Sequence, residues 1–404
     1  METWWDRWGT AGLALMLVLV LPLLGVALAG RRVTPYLEFP PLTKLVEHEP
    51  FSWPVFVVLG LFIVLSVAPF LRRILQSNFQ SILGDSTLPL TLGHQASPIT
   101  HHASCFPWWG WLGLGWTAIW WLLAWTRMEW MASLQTFTFT PLWFGYIIIV
   151  NALTFRRTGR CMFMHRPRYF WSLFPLSALF WWMFEYLNRF VQNWFYRGGG
   201  ELTAWEYVVQ ATLPFSTVLP AVIGTAELLS ASPRLSAGLG TFVKLDAGND
   251  RTGGQGLLAV AVAGLLGIGL WPNYLFPLVW VAPLLLITAL QLSRRESTIF
   301  GSVRQGDWRT LWVMALAALV CGFFWELWNV YSLAHWEYAI PFVHRFRLFE
   351  MPILGYAGYL PFGLECLAVA DLCLTRKFSG GVAYYRDAGA GTDFAQRKPT
   401  VAER

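Results

Sequence analysis

Long apolar runs separated by short polar loops make up most of this chain. The runs are continuous rather than alternating, and each is close to the roughly 20 residues that a helix needs to cross a bilayer. Because a backbone in lipid must satisfy its own hydrogen bonds, such runs predict membrane-spanning helices and an all-α integral membrane protein. Ten runs fit this description: residues 11–30, 53–70, 108–125, 139–155, 171–190, 213–230, 256–271, 275–292, 309–329 and 354–374.

Composition and charge agree with a membrane protein and give it an orientation. Hydrophobic residues make up 56% of the 404 residues and charged residues 13%, a balance outside the usual range of soluble domains. With ten spans, most of the 29 lysines and arginines fall on the side that also holds both termini. The positive-inside rule makes that side cytoplasmic, so we expect a multi-pass protein of a bacterial inner membrane. The basic residues form no single stripe, so no nucleic-acid partner is expected.

The first apolar run admits two interpretations. Ala27 to Gly30 resembles a signal-peptide cleavage site, but the run is longer than a typical signal core, which favours an uncleaved first helix. In this topology the five cysteines fall in spans or cytoplasmic loops, so we expect no disulfide framework.

Two segments of the chain have the same pattern. In each, a glutamate lies three residues before an asparagine inside an aromatic apolar run: Glu185 with Asn188, and Glu326 with Asn329. A Trp-Glu-Tyr follows, and then a Leu-Pro opens a second apolar run with another acid. These later elements are Trp205-Glu206-Tyr207, Leu219-Pro220 and Glu227 in the first segment, and Trp336-Glu337-Tyr338, Leu360-Pro361 and Glu365 in the second. Self-similarity of this length predicts a duplicated structural unit.

The duplication divides the chain into five parts. Residues 1–135 hold three spans without a counterpart, 139–230 form the first three-helix repeat, 231–274 form a connector with one helix, and 275–374 form the second repeat. Three spans plus one connecting helix return the chain to its starting side, so the repeats run parallel about an axis along the membrane normal. Residues 375–404 are rich in Gly and Ala with mixed charges, which predicts a flexible cytoplasmic tail.

The acids inside the apolar runs are the candidate chemical groups. A carboxyl at membrane depth must be protonated, paired or turned toward a polar cavity, and an apolar pocket favours its protonated form. A protonated acid of this kind can deliver a proton. The candidate catalytic residues are therefore Glu326, Glu365 and Glu185, with Asn329 and Asn188 one helical turn from their acids and able to orient them.

A structural role is the alternative for each acid. Glu185 and Glu326 would then lie near the interface, hydrated or bridged to Arg189 and Arg345, and would only hold helices together. Glu227 lies near the cytoplasmic end of its run, where a structural role is favoured over catalysis.

The 25 tryptophans suggest a belt at the membrane interfaces and, near the acids, a pocket. Aromatic faces attract a cation by about 0.5–2 kcal/mol each, which suits a reaction with carbocation character. The candidate substrate-binding residues are Trp325, Trp328, Trp181, Trp182, Trp336 and Tyr338.

No cofactor or metal is expected. His94, His101, His102 and Cys105 share one loop, but their spacing matches no zinc site. The other histidines are not paired within a helical core, which argues against a b-type haem. The chain also has no Gly-rich phosphate loop after a strand.

The order aromatic-Trp-acid, Trp-x-Tyr and Pro-x-x-x-acid, present twice on three-helix units, resembles the membrane lycopene cyclase domain. In that family two three-helix repeats cyclise the ends of a linear polyene by protonation. The matching positions are Trp325-Glu326, Trp336-Glu337-Tyr338 and Pro361 to Glu365, with weaker counterparts at Glu185, Trp205-Glu206-Tyr207 and Pro220 to Glu227. The resemblance covers about residues 139–374. The family has aspartate at the first acid position and paired acids after the proline, whereas this chain has Glu326 and the single Glu365.

These observations predict a carotenoid-cyclase-like membrane enzyme that protonates a long apolar isoprenoid or other lipid substrate. Glu326 and Glu365 would then reach one cavity, with Asn329 hydrogen-bonded to Glu326. Two other classes stay open. One is a proton-coupled transporter in which the same acids transfer protons. The other is a non-catalytic subunit of a larger complex, whose aromatic surfaces pack against membrane lipids and partner membrane subunits.

Overall fold

The structure is a computed structural model that describes residues 4–41, 46–85, 105–200, 202–245 and 251–374. The helices are α1 (Trp4–Leu28), α2 (Trp53–Asp85), α3 (Trp108–Trp125), α4 (Phe139–Thr158), α5 (Met162–His165), α6 (Pro167–Val191), α7 (Ala204–Phe215), α8 (Val218–Ser230), α9 (Arg251–Leu270), α10 (Pro272–Leu275), α11 (Ala282–Ser293), α12 (Arg309–Asn329) and α13 (Tyr359–Leu374). Four short strands are β1 (Trp194–Arg197), β2 (His335–Tyr338), β3 (Arg347–Leu348) and β4 (Met351–Pro352). The predicted tail 375–404 and the histidines His94, His101 and His102 lie outside the described residues.

The fold is all-α, and its described part contains seven helices long and apolar enough to cross a membrane. A bent helix pair would make an eighth. Helices also cover the predicted runs 108–125 and 171–190, but α3 and α6 are not among the seven. The reason is compositional: α3 is crowded with tryptophan, and α6 contains charged and amide side chains.

The predicted span 275–292 is broken rather than straight. Residues Pro272–Trp280 and Ala282–Ser293 meet at a bend of 58°. Prolines occur on both sides of the break, at Pro277 and Pro283. Since proline has no backbone N–H, it opens a helix readily and interrupts one from within.

The core lies where α12 packs against α8 and α13, and α4 and α6 also pack against α8. Close approach of α12 and α13 requires glycine. A Cβ at Gly363 would collide with the carbonyl oxygen of Met314, and one at Gly322 would collide with the Tyr359 ring. Small residues at such crossings let membrane helices approach closely and gain dispersion contacts.

The three helices of the predicted region 1–135 have different neighbours. Helix α1 packs on α9 and α11, and α3 packs on α4. Helix α2 makes few contacts with the other helices of the described structure, since none of its most apolar stretch is buried. Its C-terminal half is held by Phe70, which stacks on Trp312 at 5.5 Å, and by Arg73, whose Nε donates to the Gly238 carbonyl at 3.1 Å.

Candidate functional site

Strands β1 and β2 follow the ends of α6 and α12 and pair with each other antiparallel. Trp194 lies opposite Tyr338, and Tyr196 lies opposite Trp336. The register is therefore symmetric about the central pair, Phe195 and Glu337. The pairing brings the ends of the two acid-bearing helices together.

The two asparagines fix these strands to their helices. Asn188 donates from Nδ2 to the Trp194 carbonyl at 2.7 Å and accepts from the Asn193 N–H at 2.8 Å. Asn329 donates to the Trp336 carbonyl at 2.7 Å and accepts from the Trp336 N–H at 2.8 Å. The expected bond between Asn329 and Glu326 is therefore not formed. The amides are engaged with backbone groups that follow the helix end and have no helical partner there.

Glu185 is held by three donors at one oxygen. Its Oε1 accepts from Trp181 Nε1 at 3.2 Å, from Trp194 Nε1 at 3.0 Å and from the Tyr196 hydroxyl at 2.6 Å. The side chain is buried. Three donors converging on one carboxyl oxygen stabilise negative charge there.

Glu326 has fewer donors and a free oxygen. Its Oε1 accepts from the hydroxyls of Tyr338 at 2.7 Å and Tyr359 at 3.1 Å. Trp336 Nε1 donates in turn to the Tyr338 hydroxyl at 2.8 Å. The residue is 0% exposed, and its Oε2 is buried without a hydrogen-bond partner among the described residues. A buried carboxyl oxygen without a donor favours the protonated carboxyl.

The strand tyrosines are fixed as hydrogen-bond donors. Burial, together with the neighbouring glutamate in each case, raises the pKa of Tyr196 and of Tyr338 well above the usual range. Both phenols therefore keep their protons at neutral pH and donate them toward Glu185 and Glu326.

The arginine bridges that a structural role would have given Glu185 and Glu326 are not formed. Arg189 donates to the carbonyls of Tyr36 at 3.0 Å and Glu38 at 2.8 Å. The Arg345 guanidinium lies 4.6 Å from the centre of the Phe51 ring. Both arginines are engaged by the segment between α1 and α2, which contacts the last turn of α6 at Arg189 and the loop after β2 at Arg345. Among the described residues, neither acid forms an ion pair.

The second acid of each segment accepts a backbone N–H near a helix start. Glu227 accepts from the Met162 N–H at 2.9 Å, at the first residue of α5, and pairs with Arg166 at 3.2 Å. Glu365 accepts from the Leu284 N–H at 3.1 Å, in the first turn of α11. Its Oε2 is buried without a partner in the described structure. The break before α11 leaves N–H groups without helical partners, and Glu365 satisfies one of them.

An aromatic cavity lies beside the strand pair, with an empty volume of about 1170 Å³ that includes its opening to the outside. The donors that hold the two acids form part of its wall: Trp181, Trp194, Tyr196, Tyr338 and Tyr359. The predicted binding residues Trp325 and Trp336 also line it. None of the three acids Glu185, Glu326 and Glu365 lines the cavity directly, so the first two reach it through their tyrosines.

Two of the predicted substrate-binding tryptophans lie elsewhere. Trp328 packs against Trp143 and Phe324 on another side of α12, at centroid distances of 5.3 and 5.4 Å. Trp182 donates from Nε1 to Thr212 at 3.0 Å, and it does not line the cavity. Successive helix positions point 100° apart, so neighbours of an acid in sequence need not share its face.

The structural counterpart of Trp336-Glu337-Tyr338 is Trp194-Phe195-Tyr196. Its tryptophan backbone is bound by Asn188, and its tyrosine donates to Glu185. The segment first aligned with it, Trp205-Glu206-Tyr207, begins α7 instead, where Thr203 and Glu206 form a reciprocal cap. That cap starts the helix.

The described residues contain no group of three or more His, Cys, Asp or Glu side chains arranged to hold a metal ion. Comparisons of the chain with protein-family models, with curated proteins and with solved structures gave no match.

Proposed function

We propose that this protein is a membrane enzyme that protonates and rearranges a long apolar isoprenoid or other lipid, as the resemblance to lycopene cyclases suggests. The observation that carries the proposal is that Glu185 and Glu326 both reach one aromatic cavity through tyrosine hydroxyls. A cavity walled by aromatic rings with two buried acids behind it suits a cationic intermediate.

The proposed reaction starts at Glu326 and ends at Glu185. In the resting structure the Tyr338 hydroxyl donates to Glu326 Oε1, 2.7 Å away, so the reaction begins with a reversal of this hydrogen bond. The Tyr338 hydroxyl proton then passes to an alkene carbon of the substrate, and the proton of the Glu326 carboxyl replaces it on the Tyr338 oxygen. The resulting carbocation rearranges or closes a ring while it is held against the tryptophan faces. Tyr196 takes a proton from a neighbouring carbon and gives its own hydroxyl proton to Glu185, which restores the alkene. One turnover therefore moves a proton from Glu326 to Glu185, and exchange with solvent returns both acids to their starting states, so no co-reactant is consumed.

The other candidate catalytic residues would act as supports. Asn188 and Asn329 position the strands that bear the tyrosines. Glu365 anchors the first turn of α11. Trp280, which precedes that helix, is part of the cavity wall. In this proposal Glu365 shapes the cavity and does not donate a proton to the substrate.

We also propose that the two acid-bearing segments are parallel repeats in a ten-span protein of a bacterial inner membrane, with both termini in the cytoplasm. The symmetric register of β1 and β2 supports this, because an antiparallel pair of this kind has a local two-fold axis between its strands. The equivalent bonds of Asn188 and Asn329, and of Tyr196 and Tyr338, obey the same axis.

The test compares lipid extracts of bacteria that make the wild-type protein with extracts of bacteria that make Glu326→Gln. The wild type should convert an isoprenoid or lipid into an isomer of equal mass, and the variant should lose at least about a hundredfold in rate, as expected for loss of an acid catalyst. Glu129→Gln, at an exposed position, is the matched control. Identical extracts from cells with and without the wild-type protein would rule out the enzyme. Proton uptake by vesicles in that case would support a transporter.

A further inference from the structure

Helix α7 contributes two polar side chains to the cavity wall. Tyr207 and Gln210 lie one turn apart on this helix, and both line the cavity. The Tyr207 hydroxyl and Gln210 Oε1 are buried without a hydrogen-bond partner in the described structure. The amide nitrogen of Gln210 makes no protein bond either. Buried polar groups in folded proteins are almost always satisfied, so two neighbouring exceptions in one cavity wall require an explanation.

We infer that the cavity takes an apolar chain that bears a neutral oxygen, a hydroxyl or a carbonyl, at one end. This inference rests on the proposed function and specifies its substrate class. The oxygen would lie against the Gln210 amide, which can both donate and accept, with the Tyr207 hydroxyl next to it. The chain would lie against the tryptophans of the wall, including Trp280 and Trp325.

The charges at the mouth favour a neutral end group over an anionic one. Arg197, the one arginine or lysine of the described lining, is paired with Glu337 at 2.8 Å. His335 Nε2 also lies 3.5 Å from the same carboxylate oxygen. A phosphate would have to displace or oppose Glu337, which costs Coulomb energy at this distance. A hydroxyl or carbonyl meets no such opposition.

A plain hydrocarbon fits the aromatic walls but leaves the Gln210 amide and the Tyr207 hydroxyl without a hydrogen-bond partner. It would exclude water from Gln210 without replacing the hydrogen bonds that water could make. A site built for a polar group rejects an analogue that lacks it, because the buried partner stays unpaired. The amide therefore discriminates between an isoprenoid alcohol and the alkene of the same length.

The experiment measures binding of tritiated phytol to the purified protein in lipid nanodiscs. Unlabelled phytol, phytene and phytyl phosphate are the competitors; they share one chain and differ only at the end. Phytol should compete about fivefold better than phytene, the factor that one neutral hydrogen bond of about 1 kcal/mol gives. Phytyl phosphate should compete no better than phytol.

Gln210→Leu should lower the affinity for phytol to that for phytene, while Gln76→Leu, on α2 and outside this cavity, should leave the ratio unchanged. Should Gln210→Leu fail to fold, Tyr207→Phe removes the neighbouring hydroxyl and should reduce the ratio about twofold. Equal competition by phytol and phytene in the wild type would overturn this inference and leave the proposed function intact. Stronger competition by phytyl phosphate would replace it with an anion site at Arg197. Absence of saturable binding by any of the three probes would overturn both.

Discussion

Glu185 and Glu326 occupy equivalent places near the ends of α6 and α12, and each accepts a hydrogen bond from a tyrosine of the following strand. Their surroundings then differ. Glu185 receives two further bonds, from the indoles of Trp181 and Trp194. Glu326 receives one, from Tyr359, and keeps one oxygen without a partner. Both glutamates therefore share the bond from a strand tyrosine. The remaining donors favour an anion at Glu185 and a protonated acid at Glu326.

The second acids show a similar contrast. Glu227 has an arginine partner, Arg166, in addition to its backbone bond. Glu365 has only the backbone N–H of Leu284. In both positions, therefore, the first half satisfies its acid more fully than the second. A buried acid with unused capacity is the one able to change protonation during a reaction.

The largest expected effect tests what the two halves share. Asn329→Ala removes two bonds to the Trp336 backbone, and Asn188→Ala removes three, to the Trp194 carbonyl and to the N–H groups of Asn193 and Trp194. Each variant should therefore lower the free energy of unfolding by about 2–4 kcal/mol. Thermal unfolding in detergent measures the loss. Asn78→Ala, which removes one exposed bond to the Arg234 carbonyl, is the control and should cost less than about 1 kcal/mol. A large loss for one asparagine and none for the other would show that the halves are not equivalent.

The next prediction sharpens the difference between the acids. Glu185→Gln replaces a charge-assisted acceptor by a neutral one under three donors, so it should destabilise the protein by about 1–3 kcal/mol. Glu326→Gln replaces a protonated acid by an amide of similar size and should cost less than about 1 kcal/mol. Equal losses, measured as unfolding temperatures of the two variants, would contradict the assigned protonation states.

Alkaline pH should destabilise the strand pair. The pKa of Tyr196 and of Tyr338 is raised in the folded state, whereas tyrosines in the unfolded chain ionise near pH ~10. The stabilising contribution is complete below the unfolded pKa and is lost as the pH rises above it, by about 1.4 kcal/mol per pH unit for each tyrosine. Unfolding temperatures between neutral and alkaline pH test this. Tyr338→Phe should make the slope shallower, and an unchanged slope would count against a raised pKa.

The smallest expected effect concerns two thiols on the predicted cytoplasmic side. Burial raises the pKa of Cys161 to about 11, while Cys105 is exposed. A membrane-impermeant maleimide at neutral pH should therefore label Cys105 in inverted vesicles and spare Cys161. Labelling of Cys105 in intact cells instead would overturn the proposed orientation without affecting the fold.

The sequence predicted the helical class and the two Glu-Asn pairs, because continuous apolar runs and helical spacing depend only on local order. It wrongly matched Trp336-Glu337-Tyr338 with Trp205-Glu206-Tyr207, whereas the structural counterpart is Trp194-Phe195-Tyr196. The alignment relied on the central acid of Trp-Glu-Tyr, but alternate strand residues point to opposite faces. Since Trp194 and Tyr196 make the important contacts, the residue between them is Phe195 in one half and Glu337 in the other without changing the geometry.

Other features depend on contacts between distant segments, which spacing along the chain does not encode. The partner of Glu365 is the backbone N–H of Leu284. A break leaves this N–H without a helical acceptor, inside a run whose sequence predicts one continuous helix. The sequence does not single out Gln210 and Tyr207, because their importance comes from the cavity beside α7 that they line. An acid inside an apolar run can be recognised in the sequence. A common polar side chain that lacks a hydrogen-bond partner in the folded protein cannot.

The symmetric pairing of β1 with β2 has a consequence for the ancestry of the chain. A self-complementary contact around a two-fold axis is the one that two identical subunits make. Under the proposed duplication, a single three-helix unit would have dimerised through this strand, with two identical acids at a shared cavity. Fusion of the two genes would then have allowed each copy to change separately, so that Glu185 gained two indole donors, from Trp181 and Trp194, in addition to its tyrosine. A half-molecule made today would expose the same strand edge, and it should assemble with its complementary half.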